Sequence, residues 1–174
     1  LFLRSAATSL NATATVLFTS GSSGNPKGVE LTHRNIQANI EMLREGFPVL
    51  PHHTVLGFLP FFHCFGYTVT LWNSLLQGYT AAFHPNPLEV KAIGDLAAAY
   101  KPTILLGTST FLNQFVKRVP AEQFASLTLV VAGAEKLSRS VADAFEVKFG
   151  VRPLEGYGTT ELSPVASSNL PDEP

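Results

Sequence analysis

Short apolar runs along this chain alternate with stretches whose apolar residues recur at helical spacing, the pattern of parallel strands joined by crossover helices. Strands are expected at Ala14–Phe18, Thr54–Leu59, Thr80–His84, Thr103–Leu106, Leu127–Ala132 and Pro153–Tyr157, most of them rich in Val, Ile, Leu, Phe or Thr. Runs with little polar alternation predict strands covered on both faces. Thr32 can cap a helix that gathers Ile36, Ile40 and Leu43 on one face. Val90, Ile93, Ala97 and Tyr100 form a second such stripe, and Phe111, Phe115 and Val119 a third. A fourth helix is expected to start after Ser138, bury Val141, Ala144 and Phe145, and stop at Gly150. Pro48, Pro51, Pro60, Pro85, Pro87, Pro102 and Pro120 fall mostly at the joints, where a missing N–H donor does least harm. The expected fold is α/β, a mostly parallel sheet with flanking crossover helices, as a single domain over residues 1–174 with no internal boundary. Leu170–Pro174 has no periodic pattern and reads as a frayed end or linker, and Leu1-Phe2-Leu3-Arg4 reads as a cut end rather than a signal peptide.

A chain of 174 residues can bury roughly two thirds of its unfolded surface, enough for a sizeable core. With 45% hydrophobic and 14% charged residues, disorder, coiled coil and collagen-like repeats are excluded. Twelve Lys and Arg against 13 Asp and Glu leave a formal charge of −1 and no basic stripe, so nucleic acid is not an expected partner. The single cysteine, Cys64, cannot form an intramolecular disulfide or a Cys-rich zinc site and reads as a buried small hydrophobe. The most apolar region, Phe65–Phe83, is broken by Thr68, Thr70, Asn73, Ser74, Gln77 and Gly78 and does not read as a membrane span. A cytoplasmic chain is expected, with any membrane association left to regions outside it.

Candidate chemistry begins directly after the first strand, at Thr19-Ser20-Gly21-Ser22-Ser23-Gly24-Asn25-Pro26-Lys27-Gly28. Glycines let backbone N–H groups approach an anion, hydroxyls add donors, and Lys27 supplies a point charge worth about 4 kcal/mol at 4 Å and an effective dielectric near 20. Structural turns collect the same residue types, but the density of hydroxyls and glycines around one lysine favours phosphate. The GK-[ST] loop that opens directly into a helix is not matched, because Lys27 is followed by Gly28 and by Val29-Glu30-Leu31, which reads as a short strand. Kinase and GTPase readings are therefore disfavoured.

Three further segments follow strands and sit where ligand loops of parallel sheets are found. Tyr157-Gly158-Thr159-Thr160-Glu161 carries an aromatic ring, hydroxyls and one carboxylate; by residue chemistry alone Glu161 reads as a helix-start acid or a solvated surface residue. Gly133-Ala134-Glu135 reads either as a plain strand-to-helix turn or as backbone contacts to a ligand. Phe61-Phe62-His63-Cys64-Phe65-Gly66 sets an imidazole among aromatics. His33, His52, His53 and His84 lie beside caps or turns and read as surface residues.

The decapeptide Thr19–Gly28 resembles the phosphate-binding signature of the acyl-adenylate-forming superfamily, the AMP-dependent synthetases and ligases, with Ser22 and Ser23 where threonine is commoner. Tyr157–Glu161 resembles the same superfamily's Tyr-Gly-x-Thr-Glu element. Gly107-Thr108-Ser109-Thr110-Phe111-Leu112, Val131–Leu137, Lys148-Phe149-Gly150 and Leu154–Tyr157 are similar to long-chain acyl synthetases and to the acyl–acyl-carrier-protein synthetase part of 2-acylglycerophosphoethanolamine acyltransferases. The likeness covers nearly the whole chain.

This resemblance implies ATP-dependent activation of a long-chain fatty acid as acyl-adenylate, then transfer to the thiol of coenzyme A or acyl carrier protein. It implies Lys27, Thr160 and Glu161 as catalytic residues, Mg²⁺ on Glu161 with help from Thr19, and Tyr157 stacked on adenine. Thr19, Ser20, Gly21, Ser22, Ser23, Gly24, Lys27, Gly133, Ala134, Glu135, Tyr157, Gly158, Thr159 and Thr160 would contact the nucleotide, and Phe62 and His63 the carboxylate substrate. Elements the superfamily places downstream, a ribose-binding aspartate, a hinge and a lysine in a small C-terminal domain, are not seen. The chain is thus expected to be part of a large N-terminal domain, inactive alone and prone to self-association through faces cut from their neighbours. The alternatives are a nucleotide- or acyl-binding module without chemistry, and a structural domain whose Gly/Ser loop is only a connection.

Overall fold

A computed structural model describes residues 9–20, 25–47 and 50–171. Gly21, Ser22, Ser23 and Gly24 of the phosphate-loop expectation, Pro48, Leu1–Arg4 and Asp172–Pro174 lie outside the described residues. The chain forms β1 (Thr13–Ser20), β2 (Pro26–Thr32), α1 (His33–Gly46), β3 (Thr54–Gly57), a π-helix (Phe65–Trp72) that runs into α2 (Asn73–Gln77), and β4 (Thr80–Phe83). It continues through α3 (Val90–Tyr100), β5 (Ile104–Gly107), α4 (Ser109–Arg118), β6 (Leu129–Ala132), α5 (Arg139–Phe149), β7 (Leu154–Gly158) and β8 (Val165–Ser168).

The main sheet has the order β4-β3-β5-β6-β7-β8. Its first four pairings are parallel and β7–β8 is antiparallel. The parallel α/β architecture expected from the alternating pattern is therefore present. The connection after β3 leads outward to β4, whereas the chain then returns past β3 to build β5, β6 and β7 on the other side. That reversal is a topological switch point, beside which ligands of open α/β sheets bind at the strands' carboxyl ends. All four residues of β5 are buried, as a central strand with no polar alternation should be.

One expected strand is elsewhere. β1 pairs antiparallel with β2 in a separate two-stranded sheet, so the run Ala14–Phe18 is no part of the parallel sheet. Leu17 and Leu31 of this hairpin pack with Ile36 and Ile40 of α1 and with Cys64 in a small second core. Thr32 caps α1 as expected, its hydroxyl accepting from the Asn35 amide while the Asn35 side chain accepts from the Thr32 amide.

The main core lies between the sheet and α3, α4 and α5, where Phe58, Phe115, Phe124, Phe145 and Phe149 interlock edge-to-face or tilted. Truncating a ring such as Phe115, which is completely buried, would cost about 3–5 kcal/mol. Two stripe members point the other way. Tyr100 is 60% exposed in the last turn of α3, and Ala144 is exposed while Ala142 and Phe149 join Phe145 in the core. Gly150 ends α5 in the left-handed conformation, at φ 77°, which a glycine adopts without strain. Among the described residues no helix is long and apolar enough to cross a membrane.

Candidate active site

The β1–β2 hairpin brings Thr19 opposite Lys27 and Ser20 opposite Pro26. Lys27 is exposed and makes no ion pair among the described residues, which leaves its charge for an incoming anion. Strand β2 lies against the short 3₁₀ turn Thr160–Leu162 that follows β7. Two segments about 130 positions apart in the sequence thus pack against each other.

The turn after β7 is tightly specified. A Cβ on Gly158 would stand 2.1 Å from the Pro164 carbonyl oxygen, so no larger residue fits. Ser163 is buried in the left-handed region at φ 71°. Asn39 of α1 clamps the far side of the turn: its Nδ2 donates to the carbonyls of Val165 (2.8 Å) and Leu162 (3.3 Å), and its Oδ1 accepts from the Val165 amide. Tyr157 projects from β7 with 65% of its surface exposed, a free aromatic face. The Thr160 hydroxyl donates to Cys64 Sγ at 3.3 Å. Glu161 is exposed and without an ion pair among the described residues.

Beside this turn, Gly133 and Ala134 follow β6 at the same edge. A Cβ on Gly133 would press on the Phe65 ring at 3.2 Å, and Ala134 holds a left-handed φ of 66°. Backbone approach to a ligand is what such a loop offers. The Glu135 carboxylate is engaged elsewhere, accepting from the Thr110 amide in the first turn of α4. Burial alone would raise its pKa, but the hydrogen bonds from Thr110 and Thr108 outweigh it and hold the carboxyl below the ordinary range.

After β3 the chain passes through Phe61, which meets Phe83 edge-to-face at 5.3 Å, and Phe62, which is 79% exposed. His63 Nδ1 accepts from the Phe65 amide at 3.2 Å, so in the neutral ring the proton sits on Nε2. Desolvation lowers the His63 pKa and keeps that neutral form. Of the other histidines, His33 and His52 are exposed, as expected. His53 is half-buried, its Nδ1 accepting from the Leu50 amide, and the half-buried His84 pairs with Glu89 at 2.9 Å.

His63, Gly133, Tyr157 and Gly158 lie at the carboxyl-end rim of an apolar groove that runs along the sheet face under α1 and the π-helix. Leu106 and Val131 form its floor, Val69 and Leu43 its roof, and Tyr79 and Ile104 its end at the amino side of the strands. Its buried polar groups satisfy one another, Asn73 Nδ2 donating to the Tyr79 hydroxyl at 2.8 Å, and no charged side chain other than titratable His63 enters the lining. The donor set at the rim, one exposed carboxylate with neighbouring hydroxyls, suits a hard cation such as Mg²⁺ that keeps waters and takes further oxygens from phosphate. Among the described residues no three His, Cys, Asp or Glu side chains gather into an all-protein cage.

A sequence profile of the AMP-binding enzymes matches residues 3–174. The chain belongs to the AMP-binding enzyme family. Among its relatives in this family, the long-chain-fatty-acid–CoA ligase of Bacillus subtilis is 34% identical over 168 residues, covering 90% of this chain and 29% of the relative. The p-hydroxybenzoic acid–AMP ligase of Mycobacterium marinum is 30% identical, over 94% of this chain and 24% of its own length. The ATP-bound MatB of Rhodopseudomonas palustris superposes with a TM-score of 0.88 at 27% identity, over 99% of this chain and 34% of that one. The chain therefore spans about a quarter to a third of the length of these AMP-binding relatives.

Strand β2, which carries the end of the Thr19–Gly28 motif, packs against the 3₁₀ turn that carries Thr160 and Glu161 of the second motif. Sequence reasoning missed Asn39, a polar residue inside an otherwise ordinary helix, and the contact of Cys64 with Thr160. No local pattern signals either, because their partners are 126 and 96 positions away.

Proposed function

We propose that residues 1–174 form one partial AMP-binding domain of a longer enzyme that activates a long-chain fatty acid with ATP as acyl-adenylate and passes the acyl group to a thiol. The observation that carries this reading is the apolar groove ending at Tyr157, Gly158 and Gly133. An uncharged, half-enclosed slot suits a hydrocarbon tail, while its rim holds the groups suited to a nucleotide. The identity to the long-chain-fatty-acid–CoA ligase of Bacillus subtilis supports the same substrate class.

In this reading the acyl chain lies along Leu106 and Val131 with its carboxylate at the rim beside neutral His63. Lys27 and the backbone amides of the preceding loop bind the polyphosphate, Thr160 donates to the α-phosphate, and Tyr157 stacks on adenine. The Gly133–Ala134 backbone closes the other side of the base. Glu161, with Thr19, would hold Mg²⁺, which when bound would offset phosphate charge as the carboxylate attacks. The work is positioning and charge stabilisation, and the exclusion of water by the groove strengthens each polar contact.

The relatives' names include both a CoA ligase and an AMP ligase, so we keep coenzyme A and acyl carrier protein as the two candidate acceptor thiols. The longer enzyme, incubated with Mg·ATP and fatty acids of graded length, should accumulate acyl-AMP detectable by mass spectrometry, and then consume it on addition of one of those two thiols. Absence of any acyl-AMP in the presence of bound ATP would point instead to a binding module without chemistry.

A further inference from the structure

Cys64 stands at a junction that neither motif explains. It is the chain's single cysteine and is 4% exposed. It packs with Leu17 and Leu31 of the hairpin and Ile36 and Ile40 of α1, and it leads directly into the π-helix. Its sulfur meets the Thr160 hydroxyl at 3.3 Å and lies 3.9 Å from His63 Nδ1. The same residue thus contacts the core of the phosphate-loop hairpin, the imidazole at the groove rim and the hydroxyl of the β7 turn.

Resting on the function proposed above, we propose that Cys64 is a positioning residue for Thr160: its thiol fixes the Thr160 rotamer and exchanges donor for acceptor when an anionic oxygen arrives. In the structure Thr160 Oγ1 donates to the sulfur, which turns the oxygen lone pairs outward and spends the only proton inward. A hydroxyl in that state cannot donate to phosphate. When phosphate binds, the O–H rotates outward, and the S–H, which has no competing acceptor in His63 Nδ1 because that nitrogen already accepts from the Phe65 amide, turns to donate to Thr160 Oγ1. No bond to hydrogen is broken, so the exchange needs no acid or base. Desolvation by burial raises the thiol pKa and keeps that proton in place. Alanine at position 64 would leave Thr160 free to rotate and its oxygen without the inward donor.

Two measurements test this. In the 174-residue chain the S–H stretching band reports Cys64 alone, and Thr160→Val should shift it, since the sulfur loses its hydroxyl partner; an unchanged band overturns the pairing. In the longer enzyme, fatty-acid-dependent ATP–pyrophosphate exchange should show Cys64→Ala with a kcat lowered about 5–20-fold and a fatty-acid KM within about twofold of the parent's, the mark of a lost orienting contact rather than of lost fold. Cys64→Ser, which restores a donor, should recover most of that loss, and the double variant Cys64→Ala/Thr160→Val should be no slower than Thr160→Val alone. A parental kcat in Cys64→Ala, no recovery by serine, or multiplicative losses in the double variant overturns the proposal. A parent enzyme without exchange contradicts the proposed function instead, and the band shift then still decides whether the pair exists.

Discussion

Asn39 and Val165 exchange two hydrogen bonds, Nδ2 donating to the Val165 carbonyl at 2.8 Å and Oδ1 accepting from the Val165 amide at 3.3 Å, so α1 holds the end of the turn that carries Glu161. A side-chain amide used in this way acts as a substitute strand for β8. Asn39→Ala leaves the Val165 N–H and C=O without these partners. We expect it to lower the stability of the chain by about 2–3 kcal/mol, measured by urea denaturation. A loss below 0.5 kcal/mol, roughly the surface-substitution range, would mean that water replaces the clamp.

Gly158→Ala tests the tightness of the same turn. The added Cβ would meet the Pro164 carbonyl oxygen at 2.1 Å, and that oxygen already accepts from the Thr159 amide. Backbone on both sides must move. The expected cost is about 1–3 kcal/mol by denaturation, accompanied by lost exchange activity in the longer enzyme.

His63 gives the stability a pH dependence with a definite sign. Desolvation lowers its pKa in the folded chain, so below the ordinary imidazole value the unfolded chain binds more protons than the folded one. Its contribution is complete above about pH 6.5 and is lost as pH falls through the lower folded value. His53, lowered by desolvation and by His52, acts in the same direction. Denaturation at pH 7.5 and pH 5.0 should therefore show lower stability in acid, and His63→Gln should flatten that difference without abolishing it. An unaltered difference in His63→Gln would assign the dependence to His53 or the carboxylates.

The parts of the fold that were legible in the sequence are those whose burial is two-sided or strictly periodic. The runs Thr54–Leu59, Thr103–Leu106 and Leu127–Ala132 could be read because strands between two helix layers admit few polar residues. β1 stands outside the parallel sheet, which the sequence pattern does not reveal because pairing is a long-range property and residues 21–25 carry no two-residue hairpin signal. β8 went unseen since Val165-Ala166-Ser167-Ser168 has neither β-branched density nor alternation; it exists because β7 and Asn39 supply its hydrogen bonds. The π-helix Phe65–Trp72 escaped for the opposite reason, its buried Gly66, Thr68 and Thr70 interrupting the apolar stripe. A Cβ on Gly66 would collide with the Leu59 and Pro60 carbonyls, which shows how closely that helix is seated against the strand β3 exit.

Candidate chemistry can be read from the sequence where one short segment holds all its residues, as in Thr19–Gly28 and Tyr157–Glu161. The Glu135 carboxylate accepts from the Thr110 amide in the first turn of α4, a use that depends on where helix and loop meet and that no local pattern signals. Cys64 was read as a buried hydrophobe, which its burial bears out, but its partner Thr160 could be known only from the fold.

The central claim is that the β1–β2 hairpin and the β7 turn jointly hold one polyphosphate with its magnesium. Equilibrium binding of Mg·ATP to the longer enzyme, measured by titration calorimetry for the parent, Lys27→Ala and Glu161→Gln, tests it most directly. Both side chains are exposed, so neither change should alter folding, which circular dichroism verifies. The account predicts that each substitution weakens binding at least tenfold, about 1.4 kcal/mol. Parental affinity in either variant, with the fold intact, would contradict it.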